Sequence, residues 1–543
     1  MYMRTKKMRI KDFRKNMSLK KIIIFVKKIM IKRESLVFLG VITISAFLRF
    51  YQLKQVFYFG IDDEYQTYLA QSLIKDFHPL WIGVGSTVNF YLGPLWTYLT
   101  YILLLVSKGD PLITGFTAAL LGVATTGVIF FVVKDVFGQK QALLTSLLYA
   151  CLPLLVYYDQ KYWNVTPVPL LSVLIFYSLI KLGKSKWALY LLSVCLALIF
   201  HIHLALVSLF PIVIIICLRQ RKIKWTSLVV AAALFLAVYS PLLVFDYHHN
   251  WSNLSTPVRV LENLTKKQDG SKGYLAAHSQ VFFQSLGRLW YMPPFQNNVD
   301  EINWGCTSVG NILGDTSDSE KEYWGVVEKT TTRSNPIQLL SIFTLASLLL
   351  FILSKKSWQN KEKRLLIYFL VFQILGFLFF PGKVFEYYLL GIFPFILMVI
   401  AVLLNSFDPK GRTSLVFVLL FCILGARTVM TTNGDFGLDV KQKLITETMK
   451  IVGAKTFELR ELGMCQVGSG FRYLFATYGQ RPIKSSIDNS FGWIYPDELN
   501  GAPPEYLVTV SESRVPAVWL TKPELKKIGE YSLGGYQSEV WEY

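Results

Sequence analysis

Charge is what this chain has least of. Asp, Glu, Lys and Arg make up 17% of its 543 residues, against roughly 25% in soluble domains, and that scarcity excludes an ordinary water-soluble globule. Acids are scarcer than bases, 36 against 56, leaving a formal charge of +20. An excess of that sign can mark a nucleic-acid binder. Here the bases fall in short clusters between apolar runs and form no single basic face, so nucleic acid is not an expected partner. Cysteine is rare as well: of six, Cys151, Cys195, Cys217 and Cys422 lie within apolar runs. Cys306 and Cys465 remain in polar segments, which allows one disulfide and no disulfide framework. The chain has no phosphate-binding glycine loop, no Walker pattern, no Gly-x-Ser-x-Gly elbow and no zinc-ligand spacing. Nucleotide-driven chemistry, an esterase-type nucleophile and a zinc centre therefore have no motif to rest on. No cleavable signal pattern is present either, so the first apolar run is expected to stay as an anchor.

What is abundant is apolar surface: 53% of residues are hydrophobic and 15% aromatic. Crossing about 30 Å of hydrocarbon takes roughly 18 or more apolar residues. Runs of about that kind recur at 36–53, 112–133, 141–157, 165–182, 187–201, 203–218, 226–245, 337–353, 365–380, 387–404 and 413–430. The predicted fold class is an α-helical polytopic membrane protein of about eleven spans, twelve or thirteen at most. Lys and Arg mark cytoplasmic loops. A basic stretch from Lys6 to Arg33 places the N-terminus in the cytoplasm. Clusters at Lys134/Lys140, Lys181/Lys184/Lys186, Arg219/Arg221/Lys222/Lys224, Lys355 to Arg364 and Lys410/Arg412 then mark every second loop. The alternation requires that 91–107 not cross, so this stretch reads as a juxtamembrane or re-entrant helix. Residues 20–31, short and lysine-rich, read as an interfacial basic helix.

Three regions follow: a basic cytoplasmic segment 1–35, a transmembrane domain 36–430 with outer loops 54–111 and 246–336, and an extracytoplasmic α/β domain 431–543. In the last, a helix is expected near 438–452, apolar runs near 505–511 and a hairpin near 529–542 around Gly534-Gly535.

Polar groups converge on the outer face. Asp62, Asp63 and Glu64 open a predicted helix over 62–75 whose Tyr65, Tyr68, Leu69 and Leu73 share one face. These acids admit two readings: an N-terminal cap worth about 1 kcal/mol, or a carboxylate site. Later loops bring Asp159, Lys161 and Asn164, then His201 and His203, then Lys383, Glu386 and Tyr387 to the same side. Asp159 and Lys161 exceed what an aromatic interfacial belt requires, although both could be solvated or paired with each other. His201 and His203, two residues apart, point in different directions on a helix. That disfavours joint metal ligation against a structural role or contact with a substrate phosphate. Lys383 either holds an anion or snorkels. Carboxylates beside cations at a membrane plane suit transfer chemistry on a lipid-linked phosphate: the carboxylate takes an acceptor proton while the cation holds the leaving phosphate.

Arg49-Phe50 closing the first span, Asp62-Asp63-Glu64 followed by Tyr68-Leu69-Ala70, and Gly93-Pro94-Leu95 resemble the first outer loop of the C-type integral-membrane glycosyltransferases. The narrower resemblance is to the dolichyl-phosphate-mannose protein mannosyltransferase-like and aminoarabinose transferase-like group. It implies the C-type glycosyltransferase fold and a polyprenyl-phosphate sugar donor, such as one built on undecaprenyl phosphate. It also implies inversion at the anomeric carbon and a glycan, lipid or protein acceptor at the outer face of the cytoplasmic membrane. The family's Asp-Glu pair falls on Asp63 and Glu64, making Asp63 the catalytic base and Asp62 a like-charged neighbour that raises one of their pKa values. Where many relatives carry an Arg and then an Asp in the second loop, this chain has Lys161 and Asn164, leaving Asp159 as a substitute acid. Lys383 with Tyr387-Tyr388-Leu389 before Pro394 matches a late basic-Tyr segment and implies a donor-phosphate contact, joined by His201 and His203. No cofactor is implied. Some members of the superfamily place a divalent metal between first- and second-loop acids, and the weak second acid disfavours that here. The rival readings are a polytopic transporter or lipid flippase, against which stand the lack of an internal repeat and of mid-span charge, and a non-catalytic glycolipid-binding relative.

Overall fold

The computed structural model describes residues 19–86, 88–220, 223–266, 271–292, 335–380, 382, 384–462, 469–499, 501–512 and 524–543. Lys383, Cys306 and Cys465 lie outside them, as does the stretch 293–334.

Four described helices are long and apolar enough to cross a membrane: Leu112–Phe137, Trp225–His248, Asn335–Leu353 and Arg412–Thr431. The pair Gln139–Cys151 and Pro153–Asp159 is long and apolar enough only when taken together, and it bends by 65° at the break, as a broken span or a re-entrant loop would. Hydropathy predicts a straight span over 141–157, but the residue before a proline is driven out of the α region. Leu152 accordingly sits at φ −66°, ψ 128°. Other predicted spans fold as shorter apolar helices, among them Val168–Lys181, Lys186–Ile202 and Phe393–Phe407. The chain is a multi-pass membrane protein. Residues 20–31 do not form a separate interfacial helix. They continue into the first span as one helix, Leu19–Phe50, since neither Gly nor Pro interrupts 19–39. The 91–107 stretch becomes the helix Leu95–Ser107, with Trp96, Thr97, Thr100 and Leu104 buried and Ile102, Leu105 and Val106 exposed.

After Thr431 the chain builds a small α/β domain. The strands are β1 Phe457–Leu462, β2 Lys484–Ser485, β3 Tyr506–Glu512, β4 Lys526–Leu533 and β5 Tyr536–Glu542, in the order β2-β1-β3-β5-β4. The β2-β1-β3 pairs are parallel, and β5 runs antiparallel to both β3 and β4. The central strand β3 is buried from Leu507 to Glu512, as expected for a strand covered on both faces. The helix Leu438–Val452 lies over this sheet and contributes Leu444, Ile445 and Val452 to its core.

That core does not stop at the domain edge. Phe57, Phe59, Tyr68, Trp96 and Tyr162 pack in the same buried cluster as Leu438, Leu444, Phe471, Tyr473 and Tyr536. Burying each large apolar side chain contributes about 1.5–3 kcal/mol, so the chain from Phe57 to Tyr68 is held against the C-terminal domain by a shared core.

Candidate functional site

The first-loop acids open the helix Ile61–Lys75. Successive helical side chains project roughly 100° apart, so three consecutive acids cannot share one environment. Asp62 is exposed and lines a cavity. Asp63 turns inward and is 3% exposed. Its Oδ2 accepts the Gly60 N–H at 3.0 Å, capping its own helix, while Oδ1 meets no hydrogen-bond partner among the described residues. Glu64 turns away to the C-terminal domain, where Oε1 accepts the Tyr473 N–H at 2.7 Å, inside the first turn of the helix Phe471–Tyr478.

Burial pushes Asp63 up to about 8. The Gly60 hydrogen bond opposes the shift, the Asp62 charge adds to it, and the Lys161 and Lys441 ammonium groups oppose it. Glu64 is also raised well above the carboxylate range, first by burial and then by Glu461.

The cavity is about 930 Å³. Aromatic and aliphatic side chains make most of its wall, including Trp96, Phe200, Phe235, Phe377 and Phe380. Asp62, Asn164, His203 and Tyr387 reach it from four segments far apart in sequence. Asn164 Nδ2 donates to Ile202 O at 2.7 Å, tying the second loop to the end of the His201-bearing helix. His203 Nδ1 accepts the Ala205 N–H at 3.2 Å. The hydrogen-bond network therefore assigns the neutral ring's proton to Nε2, a donor. Tyr387 stacks on Phe385, the rings 5.4 Å apart and 5° from parallel.

The remaining sequence-predicted residues lie elsewhere. Asp159 is no free second acid: it forms a buried ion pair with Arg49, Nη2 to Oδ2 at 2.6 Å and Nε to Oδ2 at 2.8 Å. The same guanidinium donates to Ala150 O at 3.0 Å and Tyr149 O at 3.1 Å, so the pair is well satisfied. The close approach depends on Gly122, where a Cβ would fall 2.5 Å from Asp159 Cγ and 2.6 Å from Arg49 Nε. Lys161 does not pair with Asp159. Its ammonium lies 4.4 Å from the ring centroids of both Tyr157 and Trp163, a cation–π cage, and its charge acts on Asp63. His201 is fully buried, donates from Nε2 to Val238 O at 2.8 Å and is not among the residues that line the cavity.

Three charged groups escaped the sequence reading as partners. Arg49 is one. Arg288 is another, bonding buried Glu386 at 2.9 Å while Tyr158 Oη donates to the second Glu386 oxygen at 3.1 Å. The third is Lys441, whose only signal was a basic residue on the apolar face of the 438–452 helix.

Residues 88–245 match the family described as dolichyl-phosphate-mannose-protein mannosyltransferase. In structure the chain is similar to ArnT from Cupriavidus metallidurans in the apo state, with TM-score 0.56 at 10% identity over 93% of this chain and 97% of that one. It is likewise similar to ArnT from the same organism bound to undecaprenyl phosphate, with TM-score 0.53 at 10% identity and the same 93% and 97% coverage. The apo oligosaccharyltransferase of Archaeoglobus fulgidus also aligns, with TM-score 0.49 at 12% identity over 88% of this chain and 69% of that one. No curated protein matches the chain by sequence. The ArnT likeness and the matched segment give the chain the C-type integral-membrane glycosyltransferase fold, as its first-loop residues imply.

Proposed function

We propose that this protein is an inverting glycosyltransferase that moves a hexose or pentose from a polyprenyl phosphate to a cell-wall polymer, glycolipid or protein acceptor at the outer face of the cytoplasmic membrane. The observation that carries this reading is the cavity. A mostly apolar wall in a membrane-embedded fold suits an isoprenoid tail, and Asp62, Asn164, His203 and Tyr387 supply polar groups on that wall. The undecaprenyl phosphate bound to a protein of similar fold supports the same donor class.

Inversion is a single displacement. The acceptor oxygen forms its bond to the anomeric carbon as the bond from that carbon to the phosphate oxygen breaks. The acceptor proton passes to a carboxylate, and the phosphate leaves with the electron pair. Asp63 takes the base role. Held near pH 8 by burial, it is a stronger base when ionised than an ordinary carboxylate, and the Lys161 charge beside it favours ionisation. His203 Nε2–H, Asn164 and Tyr387, together with Lys383 by its sequence position, donate to the phosphate, where charge-assisted hydrogen bonds are strongest. A second assignment keeps the reaction and moves the base to Asp62, because Asp62 and not Asp63 lines the cavity.

The test uses purified protein in lipid nanodiscs with labelled undecaprenyl-phosphate hexose and envelope acceptors. Loss of a general base lowers turnover by roughly 10²–10⁴-fold, and that loss is expected for Asp63→Asn. Full turnover in Asp63→Asn with loss in Asp62→Asn selects the second assignment. Donor crossing the bilayer without cleavage selects a flippase.

A further inference from the structure

Lys441 lies fully buried in the helix Leu438–Val452, on the face that also buries Leu438, Leu444, Ile445 and Thr448. For folding alone an apolar residue would serve there, since a buried ammonium loses its hydration and must recover it from the protein. The recovery is directed at the first outer loop. Nζ donates to Phe59 O at 2.7 Å and to Ser469 O, and stands 4.6, 4.8 and 5.1 Å from the ring centroids of Tyr58, Phe471 and Tyr536.

Phe59 is joined directly to Gly60, the residue on which both inward acids depend. The Gly60 N–H is held by Asp63 at 3.0 Å, and Gly60 O accepts the Glu64 N–H at 2.9 Å. Two further contacts grip the same turn from the C-terminal domain. Leu438 N–H donates to Phe57 O at 2.9 Å. Gly470, at φ +86°, packs so closely that a Cβ would fall 2.7 Å from Phe59 O and 3.3 Å from Gly60 O.

The charges around this lysine are one-sided. Burial lowers Lys441 to about 8, and Glu512 at the end of β3, Glu461 at the end of β1, and Glu64 and Asp63 from the first-loop helix oppose that shift and favour the ammonium. Arg472 acts on Glu64 from the helix that begins at Phe471, and Asp62 and Lys161 act on Asp63. Glu461 is in turn anchored by the Ser469 and Phe471 N–H groups at 2.7 and 3.1 Å.

We infer that Lys441 is a positioning residue of the first-loop acid site. By this reading the C-terminal domain completes the site: its ammonium fixes the Phe59-Gly60 turn from which Asp63 hangs and supplies the positive charge that favours ionised Asp63. The inference rests on the proposed base role of Asp63 for its catalytic meaning, but its geometry can be tested without turnover.

The experiment compares full-length wild type, Lys441→Gln, which keeps a donor and removes the charge, and Lys441→Arg, which keeps the charge. One readout is the ¹³C-carboxyl NMR titration of Asp63, assigned by its loss in Asp63→Asn. The other is kcat/KM for sugar transfer against pH. In Lys441→Gln the Asp63 titration is expected to move to higher pH and the acidic limb of kcat/KM to move with it. At pH values below the limb, the rate then falls about tenfold for each pH unit the limb moves. Lys441→Arg is expected to bring both back towards wild type. An Asp63 titration unchanged in folded Lys441→Gln overturns the inference. So does a pH-independent drop shared by both variants, the sign of a merely structural lysine. If Lys441→Gln does not fold, Gly470→Ala displaces the same Phe59 carbonyl, and an unmoved Asp63 titration there overturns the inference equally. Wild type that transfers no sugar overturns the proposed function instead, and the NMR titration still decides the role of Lys441.

Discussion

One oxygen of Asp63 holds the Gly60 N–H and the other meets no partner among the described residues, a poor arrangement for a group whose only task is capping. The consequence shows in pH dependence. Folded Asp63 keeps its proton to about pH 8, whereas the ordinary value is 3.8. Between these limits the folded chain binds more protons than the unfolded one, so this group's contribution to stability is greatest at low pH and is lost as pH rises to about 8. Activity runs the other way, since the base works only when ionised. We therefore expect kcat/KM to rise along an acidic limb near pH 8 while the thermal midpoint falls over the same range, and Asp63→Asn to flatten that fall. A limb in the ordinary carboxylate range contradicts the assignment to Asp63. Residue by residue the acids were legible as a cluster but not as individuals. Nothing in Asp62-Asp63-Glu64 says which one faces a cavity; that follows from the direction each side chain takes off the helix and from what packs there.

At the scale of elements, the first span and the broken helix Gln139–Asp159 are joined by Arg49 and Asp159. Removing one partner of a buried ion pair leaves an uncompensated charge and costs about 3–5 kcal/mol, while replacing both by apolar groups is often neutral or better. Arg49→Met and Asp159→Leu are each expected to lower the unfolding midpoint in nanodiscs markedly, and the double variant to recover most of it. Additive losses contradict a structural pair and return Asp159 to candidacy as an acid. The local elements were the readable ones. The 438–452 helix and the Gly534-Gly535 hairpin stand where periodicity and turn residues put them, and the break at Leu152 has its cause in Pro153, which hydropathy averages conceal. Partner choice was not readable, because Arg49 and Asp159 lie 110 residues apart, and Arg288 and Glu386 lie 98 apart.

For the whole molecule, apolar runs and the first-loop residues carried the fold class, while the shared core between the first loop and the C-terminal sheet left no mark in composition. The result is a largely aromatic-walled cavity to which four distant segments contribute polar groups, with the inward acids of the Ile61–Lys75 helix held by contacts from a small α/β domain. The proposed chemistry for this arrangement is polyprenyl-phosphate sugar transfer with inversion. Its most direct test follows the reaction by NMR, using wild-type protein in nanodiscs and undecaprenyl-phosphate hexose labelled with ¹³C at the anomeric carbon. The expected result is release of undecaprenyl phosphate in step with a glycoside whose anomeric configuration is opposite to the donor's. A product of retained configuration, or labelled donor that crosses the bilayer uncleaved, contradicts it.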